Sequence, residues 1–589
     1  MSVAEFDKDR ASELVAQARR IAHDFDFPAE DVRRATLHFL RQLNEGLQQD
    51  GTSLCQIPSF VTNLPNGSEK GVCMAIDLGG TNLRVCSVNL NGDSTYSLTQ
   101  SKAVIPRHLM TAPTYRDLFR FITLQTKAFL AEHHPSDLEA WSRVLEEAEE
   151  KGEGDVTDEQ RRRHCKSLGF TFSFTFDQHA INRGTLLYWT KSFDIADAVG
   201  RDPCAMLQEA LDEQRLPLLV TALANDTVGT LAARAYTSSA SPPGRSGNVV
   251  VVGAIFGTGT NGAYMERVSR ITKLPSGKAV RDSESESESE SEPGAGAAVM
   301  ALNTEWGGFD GKLEVLPTTK YDRELDRDSV NPDDQHFEKR VSGMYLGEIL
   351  RRVILDLVQS RPGLFELEVS ETSPIHVPDS IDSSLLSLVV KDDTPGLEHA
   401  RREISRVLGA ARVSTGDARA IKILSEAIGR RSARLSSVAI AGVALQSGAL
   451  GPRAAEQRQP LAPSWSESLG INILTPILYG IQSLWDLLTS WLHVKILVTV
   501  PKRVGASSFG SGIGSRGLRA AEPDGEAGEV VDVGVDGSLI EHFPNFELHI
   551  REALREIPEL GGRGDEMIRI GMARDGSGVG AALIAWAAR

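Results

Sequence analysis

Cysteine is scarce in this 589-residue chain: five in all, at Cys55, Cys73, Cys86, Cys165 and Cys204, with no C-x-x-C pair. An odd, small number without metal-ligand spacing argues against a disulfide framework and a structural zinc site, and predicts a reducing, cytoplasmic setting. Positive charge is also in short supply, 63 Lys and Arg against 80 Asp and Glu, for a net charge of −17. That balance argues against nucleic acid or an anionic membrane as the main partner. Local phosphate binding stays open, because backbone N–H groups at loops and helix N-termini supply it without net charge. No apolar run follows the first methionine. The opening MSVAEFDKDRASELVAQARR is charged throughout, so a secretory signal is not expected.

What is present is 41% hydrophobic and 24% charged residues, the make-up of a soluble globular protein. The length accommodates about three to five ordinary domains, or two large lobes with insertions. Two amphipathic helices are expected first, broken at Pro28. From Val72 the pattern turns to short apolar strands. VCMAIDL reads as buried, and LRVCSVNL and STYSLTQ flank Asn91-Gly92-Asp93, a hairpin turn signal. Helical spacing runs from Thr114 to about His133, and the charged stretch from Leu145 to Arg163 reads as a solvated helix or linker. GFTFSFTF reads as one alternating strand, LPLLVTALA as another ahead of the helical TVGTLAARAY, and NVVVVGAIF as a buried strand entering GTGTNG. Strands alternating with helices over this length predict an α/β protein.

Two segments stand apart. Ser283 to Glu292 is an unbroken Ser-Glu repeat, which cannot bury apolar surface and is expected to be a disordered acidic loop. The block 451–528 surrounds INILTPILYGIQSLWDLLTSWLHVKILVTV, long enough to raise a membrane span. Asp486, His493 and Lys495 weigh against one, since a charge at the bilayer centre costs about 2.5–3.5 kcal/mol, and Pro476 adds to the case. The block reads instead as a poorly packed insertion, either a lineage-specific interaction arm or retained non-coding sequence.

Three Gly-rich stretches bear on chemistry. Gly257-Thr-Gly259-Thr-Asn-Gly262 fits G-x-G-x-x-G after a strand, but the acid that a dinucleotide fold needs about 20 residues on would fall near the Ser-Glu tract. Gly512-Ile-Gly514-Ser-Arg-Gly517 follows no strand and reads as chance. Asp77-Leu-Gly79-Gly80-Thr81-Asn82-Leu-Arg84 has two readings. It can be a phosphate loop, with glycine N–H groups, a hydroxyl, a forked cation and a hard oxygen for Mg²⁺, or a tight turn with local hydrogen bonds. Asp226, after a buried strand, likewise fits a general base or a helix N-cap.

Asp77–Arg84, Gly257–Asn261 and Gly534-Val-Asp536-Gly537-Ser538 together resemble the first phosphate loop, second phosphate loop and adenosine segment of the hexokinase family. The text between them, including LGFTFSFTF, LLYWTKSFDI, ALANDTVGT, NTEWGGFDG, LPTTKYD, FEKRVSGMYLGEILR and RIGMARDGSGVGAAL, is similar too, closest to fungal glucokinases. The resemblance implies an actin-like ATPase (ribonuclease H-like) two-lobe fold. N-terminal helices at 1–70 would pack on the large lobe, 71–222 would form the small lobe, and 223–569 the large lobe, with an acidic loop at 282–297 and the insertion at 451–528. A C-terminal helix at 570–589 would return to the small lobe.

It also implies ATP-dependent phosphorylation of glucose, and of mannose, at the 6-hydroxyl. A glucose sensor without turnover is the alternative, with the insertion beside the adenosine segment its one source of support. Asp226 matches the catalytic base, with Lys191 and Arg84 at the phosphoryl group. Ser173, Thr190, Lys191, Asn225, Asn261, Glu305 and Glu338 match the sugar set, and amides and carboxylates suit a ring of hydroxyls. Asp77, Gly79, Gly80, Thr81, Asn82, Arg84, Thr258, Gly259, Gly537 and Ser538 match the nucleotide set. Mg²⁺ would arrive with ATP, Asp77 reaching it through water, and the expected assembly is a monomer or weak homodimer without membrane or nucleic-acid partners.

Overall fold

Two sheets carry the fold, and they share one strand order. A computed structural model describes residues 3–150, 156–189, 193–238, 250–274, 299–448, 530–561 and 564–589. The Ser-Glu tract, the block 451–528, Thr190 and Lys191 lie outside the described residues. Numbered along the chain, β1 is Ile57–Pro58, β2 Lys70–Leu78, β3 Asn82–Asn91, β4 Tyr96–Val104, β5 Lys166–Phe172, β6 Thr175–Ala180, β7 Arg183–Tyr188, β8 Leu218–Ala224, β9 Val250–Phe256, β10 Thr260–Arg267, β11 Val299–Asn303, β12 Val531–Asp536 and β13 Ile568–Met572.

The first sheet runs β4-β3-β2-β5-β8 and the second β1-β11-β10-β9-β12-β13. In each, an antiparallel meander (β2-β3-β4, then β9-β10-β11) is extended by two parallel strands (β5 and β8, then β12 and β13). β1 adds an edge to the second sheet. The two Gly-rich loops occupy equivalent places, the turns β2–β3 and β9–β10. The dinucleotide reading of Gly257–Gly262 fails here, because its loop leads into strand β10 and not into a helix.

The expected single strand GFTFSFTF is two. Every residue of β5 from Ser167 to Phe172 is buried, as a strand covered on both faces requires, and the chain breaks at Ser173 before β6. The alternation of Phe with small residues looked like one half-exposed strand, but it is a double-faced core strand followed by the hairpin β6–β7. At the N-terminus the helices Val3–His23 and Ala29–Gln48 meet at Pro28. Leu14, Ala18, Phe25 and Phe39 join one core with residues of the long helix Thr415–Ser447 and of the second sheet. Arg431 on that helix forms a buried bidentate pair with Asp322, at 2.7 and 2.8 Å, and the Phe25 ring lies over its guanidinium.

Between the sheets a third core is made mostly of small residues. The helix Asp226–Ser238 packs on β9, β10 and β12, while the helix Gly576–Ala587 packs on β2, β5 and β8. The two helices cross in close contact. A Cβ at Gly229 would lie 2.6 Å from Ser577 O, and one at Gly580 would fall on the Gly229 carbonyl. A Cβ at Gly169 of β5 would similarly strike the Ala581 carbonyl. Among the described residues, no helix is long and apolar enough to cross a membrane.

Gly580→Val should therefore cost about 1–3 kcal/mol through overpacking, read as a lower thermal midpoint. An unchanged midpoint would show that the helices do not touch at this point.

Candidate active site

The first loop is shaped by its hairpin. Gly79 N donates to Asn82 O at 3.0 Å, Ile105 N to Thr81 O at 3.0 Å, and Asn82 Nδ2 to Thr81 Oγ1 at 2.8 Å. Register places Asp77 directly opposite Arg84. Arg84 Nη1 stands 3.7 Å from Asp77 Oδ2 and 4.0 Å from Asp575 Oδ1, and Ser577 Oγ donates to Asp77 Oδ2 at 3.2 Å. Ser173 is set beside this loop, its N–H donating to Leu78 O at 3.4 Å. The turn reading holds for Asn82, whereas Asp77 takes its hydrogen bond from Ser577 of the last helix and the turn also gathers charge.

Asp536 belongs to the same cluster. Its Oδ1 accepts from Gly537 N at 2.7 Å. Burial raises its pKa and nearby Asp575 adds to the rise, while the Gly537 and Gly576 amides and Arg84 oppose it. Asp536, Asp575 and Ser577 were missed as site residues. Their signal was present in quoted motifs, as the acid of V-D-G-S and the D-G-S that opens the last helix, but an acid beside Gly reads first as a turn or cap.

The second loop is held from three sides. Gly257 N donates to Gly259 O at 3.0 Å; Gly343 N donates to Gly257 O at 2.7 Å and Met344 N to Thr258 O at 3.1 Å. Gly537 closes against it at φ 121°, where a Cβ would sit 2.5 Å from the Phe256 carbonyl. Only glycine fits that conformation and that gap. Ser538 is exposed at the first position of the next helix. Glu338 joins the loop: its Oε1 accepts from Thr260 N at 3.2 Å and would lie 2.8 Å from a Cβ at Gly259.

Asn261 starts a chain of amides and carboxylate. Its Nδ2 donates to Asn303 Oδ1 at 2.8 Å and Glu305 Oε1 at 3.2 Å, and Asn303 Nδ2 donates to the same Glu305 oxygen at 2.7 Å. Glu305 sits at φ 51°, which turns the chain sharply before Trp306. Trp306 Nε1 donates to Thr260 Oγ1 at 2.9 Å, and its ring fills the space left by Gly262. Asn303 was also missed; an Asn two residues before a noticed acid carries little signal alone.

Asn225 and Asp226 enter through the crossing helix. Asn225 takes the capping position, with Oδ1 accepting from Thr227 N at 2.8 Å and Thr227 Oγ1 at 2.6 Å, and with its carbonyl accepting from Gly229 N. Asp226 is the first helical residue, its Oδ1 accepting from Thr227 N at 2.8 Å. A Cβ at Gly253 would lie 2.5 Å from Thr227 O. Asn261 pairs with Ile255, two residues from Gly253, so it leaves the sheet on the face beneath this first turn.

Thiol chemistry has no place here. Burial pushes Cys73 and Cys86 up to about 12 and raises Cys55 above its ordinary value. A cavity of about 810 Å³ between the N-terminal helix and residues 543–556 is lined by residues that include the paired Arg434 and Glu556, and contains none of the residues above.

Two sheets of equal strand order, joined by crossing helices and carrying a glycine loop each, define the actin-like ATPase class of phosphotransferase folds. The chain belongs to the hexokinase family, whose two family models match residues 17–236 and then 251–462 and 496–587. The second match is interrupted between 462 and 496, a gap that takes in most of the apolar run of the segment set apart above. The chain is 43% identical to a glucokinase of Aspergillus niger over 98% of its length and 97% of that protein, and 36% identical to glucokinase-1 of Saccharomyces cerevisiae over 99% of both. Among solved structures it is similar to a Schistosoma mansoni hexokinase complexed with glucose, with TM-score 0.65, 26% identity, and coverage of 98% and 99%.

Asp536 supplies a test of the electrostatics. Its folded pKa is raised, so its contribution to stability is fully present below the unfolded pKa of about 4 and is lost as pH rises through the folded value. Asp536→Asn removes that loss. The thermal midpoint of the variant should gain on that of the wild type as pH goes from about 4 to about 7, and a gap that stays constant with pH would contradict the assigned burial.

Proposed function

We propose that this protein transfers the γ-phosphoryl group of ATP to the 6-hydroxyl of glucose. The observation that carries the reading is the Asn261–Asn303–Glu305 chain beneath the first turn of the helix that Asp226 begins. Amide and carboxylate groups held in fixed orientation suit a ligand whose surface is a ring of hydroxyls. Asp226 takes the hydroxyl proton as the oxygen attacks the phosphoryl group in line, so that no free alkoxide forms. Glu338 and Ser173 hold neighbouring hydroxyls, together with Thr190 and Lys191 from the family resemblance.

The β2–β3 and β9–β10 loops present N–H groups to the nucleotide phosphates, with Arg84, and Lys191 by the same resemblance, offsetting charge on the transferring group. Asp77, Asp536 and Asp575 face a single near guanidinium, Arg84, an excess of negative charge that suits hydrated Mg²⁺ arriving with the nucleotide. Mg²⁺ held there would offset charge on the phosphate oxygens. Gly537 and Ser538 close on the adenosine. The two sheets lie on opposite sides of the crossing helices, so sugar touching both would favour closure and keep water from the phosphoryl group. Names of the relatives support an aldohexose over fructose.

In a coupled assay Asp226→Ala should lower kcat by about 10²–10⁴-fold, and glucose should still bind in a direct titration; near-normal turnover would remove Asp226 as the base. Asn303→Ala should raise the glucose KM about tenfold or more with a smaller change in kcat, since it deletes a hydrogen bond to a charged partner. A glucose KM like that of the wild type would put the amide chain outside the sugar site. Specificity constants should rank glucose and mannose above fructose, and efficient fructose turnover would make the protein a general hexokinase.

A further inference from the structure

Beyond the cleft, the loop that follows the helix Lys320–Asp328 folds back on it and gathers a second set of potential ligands. Asp326, Asp333 and His336 each bring one donor atom within 4.8 Å of the others. His336 is 2% exposed, and its Nδ1 has no hydrogen-bond partner while standing 3.6 Å from Asp326 Oδ1. A buried ring nitrogen aimed at carboxylates and left unpaired is costly unless something lies between them. In the same loop the buried Asn331 Oδ1 is also without a partner.

We infer that Asp326, Asp333 and His336 bind a divalent transition metal of the zinc class, with water completing its shell. One imidazole nitrogen with two carboxylate oxygens suits Zn²⁺ and its neighbours. Mg²⁺ and Ca²⁺ take oxygen ligands and gain little from imidazole. The charges around the site cut both ways. Lys339 Nζ donates to Asp326 Oδ1 and to Asn331 O, both at 2.6 Å, so an ammonium competes for one ligand and weakens the site. Arg340 turns its donors to Pro317 O, His336 O and Thr318 Oγ1, which keeps its guanidinium engaged elsewhere. Asp333 is exposed and supplies the outer ligand. A bound metal would fasten the 329–335 loop to the helix behind it. Gln335 O accepts from Lys339 N, so the clamp also acts on the short helix that carries Glu338.

The backbone offers a clean test. Asp333 holds φ 61°, a conformation that glycine adopts without strain, so Asp333→Gly removes a ligand without endangering the fold. His336→Leu removes the second ligand while keeping the site filled. Calorimetric titration of Zn²⁺ into the nucleotide-free full chain, with Mg²⁺ in tenfold excess, should show one saturable site and a raised thermal midpoint. Each variant should lose at least about tenfold in Zn²⁺ affinity, with Asp333→Gly no less stable than wild type when metal-free. Undiminished Zn²⁺ binding in either variant, displacement by Mg²⁺, or no saturable binding by the wild type would overturn the site.

Discussion

The crossing of two helices at Gly229 and Gly580 sets the distances on which the rest of the site depends. Each helix begins one turn before the contact, one at Asp226 and the other just after Asp575. Their backbones touch because no side chain intervenes, so the acid that ends one sheet and the acids that meet Arg84 are positioned by main chain and not by adjustable side chains. The first helix is anchored further along: Arg234 lies over Gly534 and Gly571 and forms hydrogen bonds of 2.6 and 2.9 Å with the fully buried Asp532 of β12. That strand ends at Asp536 and Gly537. A single helix thus ties Asp226 to the strand that leads into Gly537.

An acidic chain can still bind a polyphosphate, because backbone N–H groups at loops supply donors without adding net charge. The repeated strand order supplies the same device twice, a glycine turn at the head of an antiparallel meander. Around the first turn Asp77, Asp536 and Asp575 outnumber Arg84. A bare anion would meet repulsion there, whereas a phosphate chain already carrying a divalent cation would not. On the proposed reading, the charge around this turn favours a nucleotide that arrives with its divalent cation.

Much of this was legible in the sequence, for a physical reason. Loops that bring backbone to a phosphate must contain glycine, and strands buried on both faces must be continuous apolar runs, so Asp77–Arg84, Gly257–Asn261 and Gly534–Ser538 stood out. What escaped notice depends on contacts between distant segments. Asn303 matters only because β11 lies beside β10 and brings it to Asn261. Asp575 matters only because the last helix returns to β2. The cap reading of Asp226 fails by one residue of register: Asn225 occupies the cap, which the pair Asn-Asp could not reveal alone. GFTFSFTF was split because a break at Ser173 was needed next to the first loop, and local alternation carries no trace of such a demand.

The amide chain proposed to hold the sugar shows how little freedom is left before a ligand arrives. Asn261 cannot flip its amide without cost, since Nδ2 donates to Asn303 and Glu305 while Oδ1 accepts from Gly262 N at 2.7 Å and Thr304 Oγ1 at 3.3 Å. Asn303 is 6% exposed and Thr304 fully buried, so solvent offers few alternative partners. The left-handed turn at Glu305 is held by Trp306, which is itself buried against Phe39 and Phe256. Orientation is therefore settled during folding, and a ligand loses little free energy in ordering these groups. The same rigidity makes the site intolerant. A sugar lacking a hydroxyl that these groups address would leave buried donors and acceptors unpaired, and that penalty, more than any attraction, is what lets a polar pocket discriminate between hexoses.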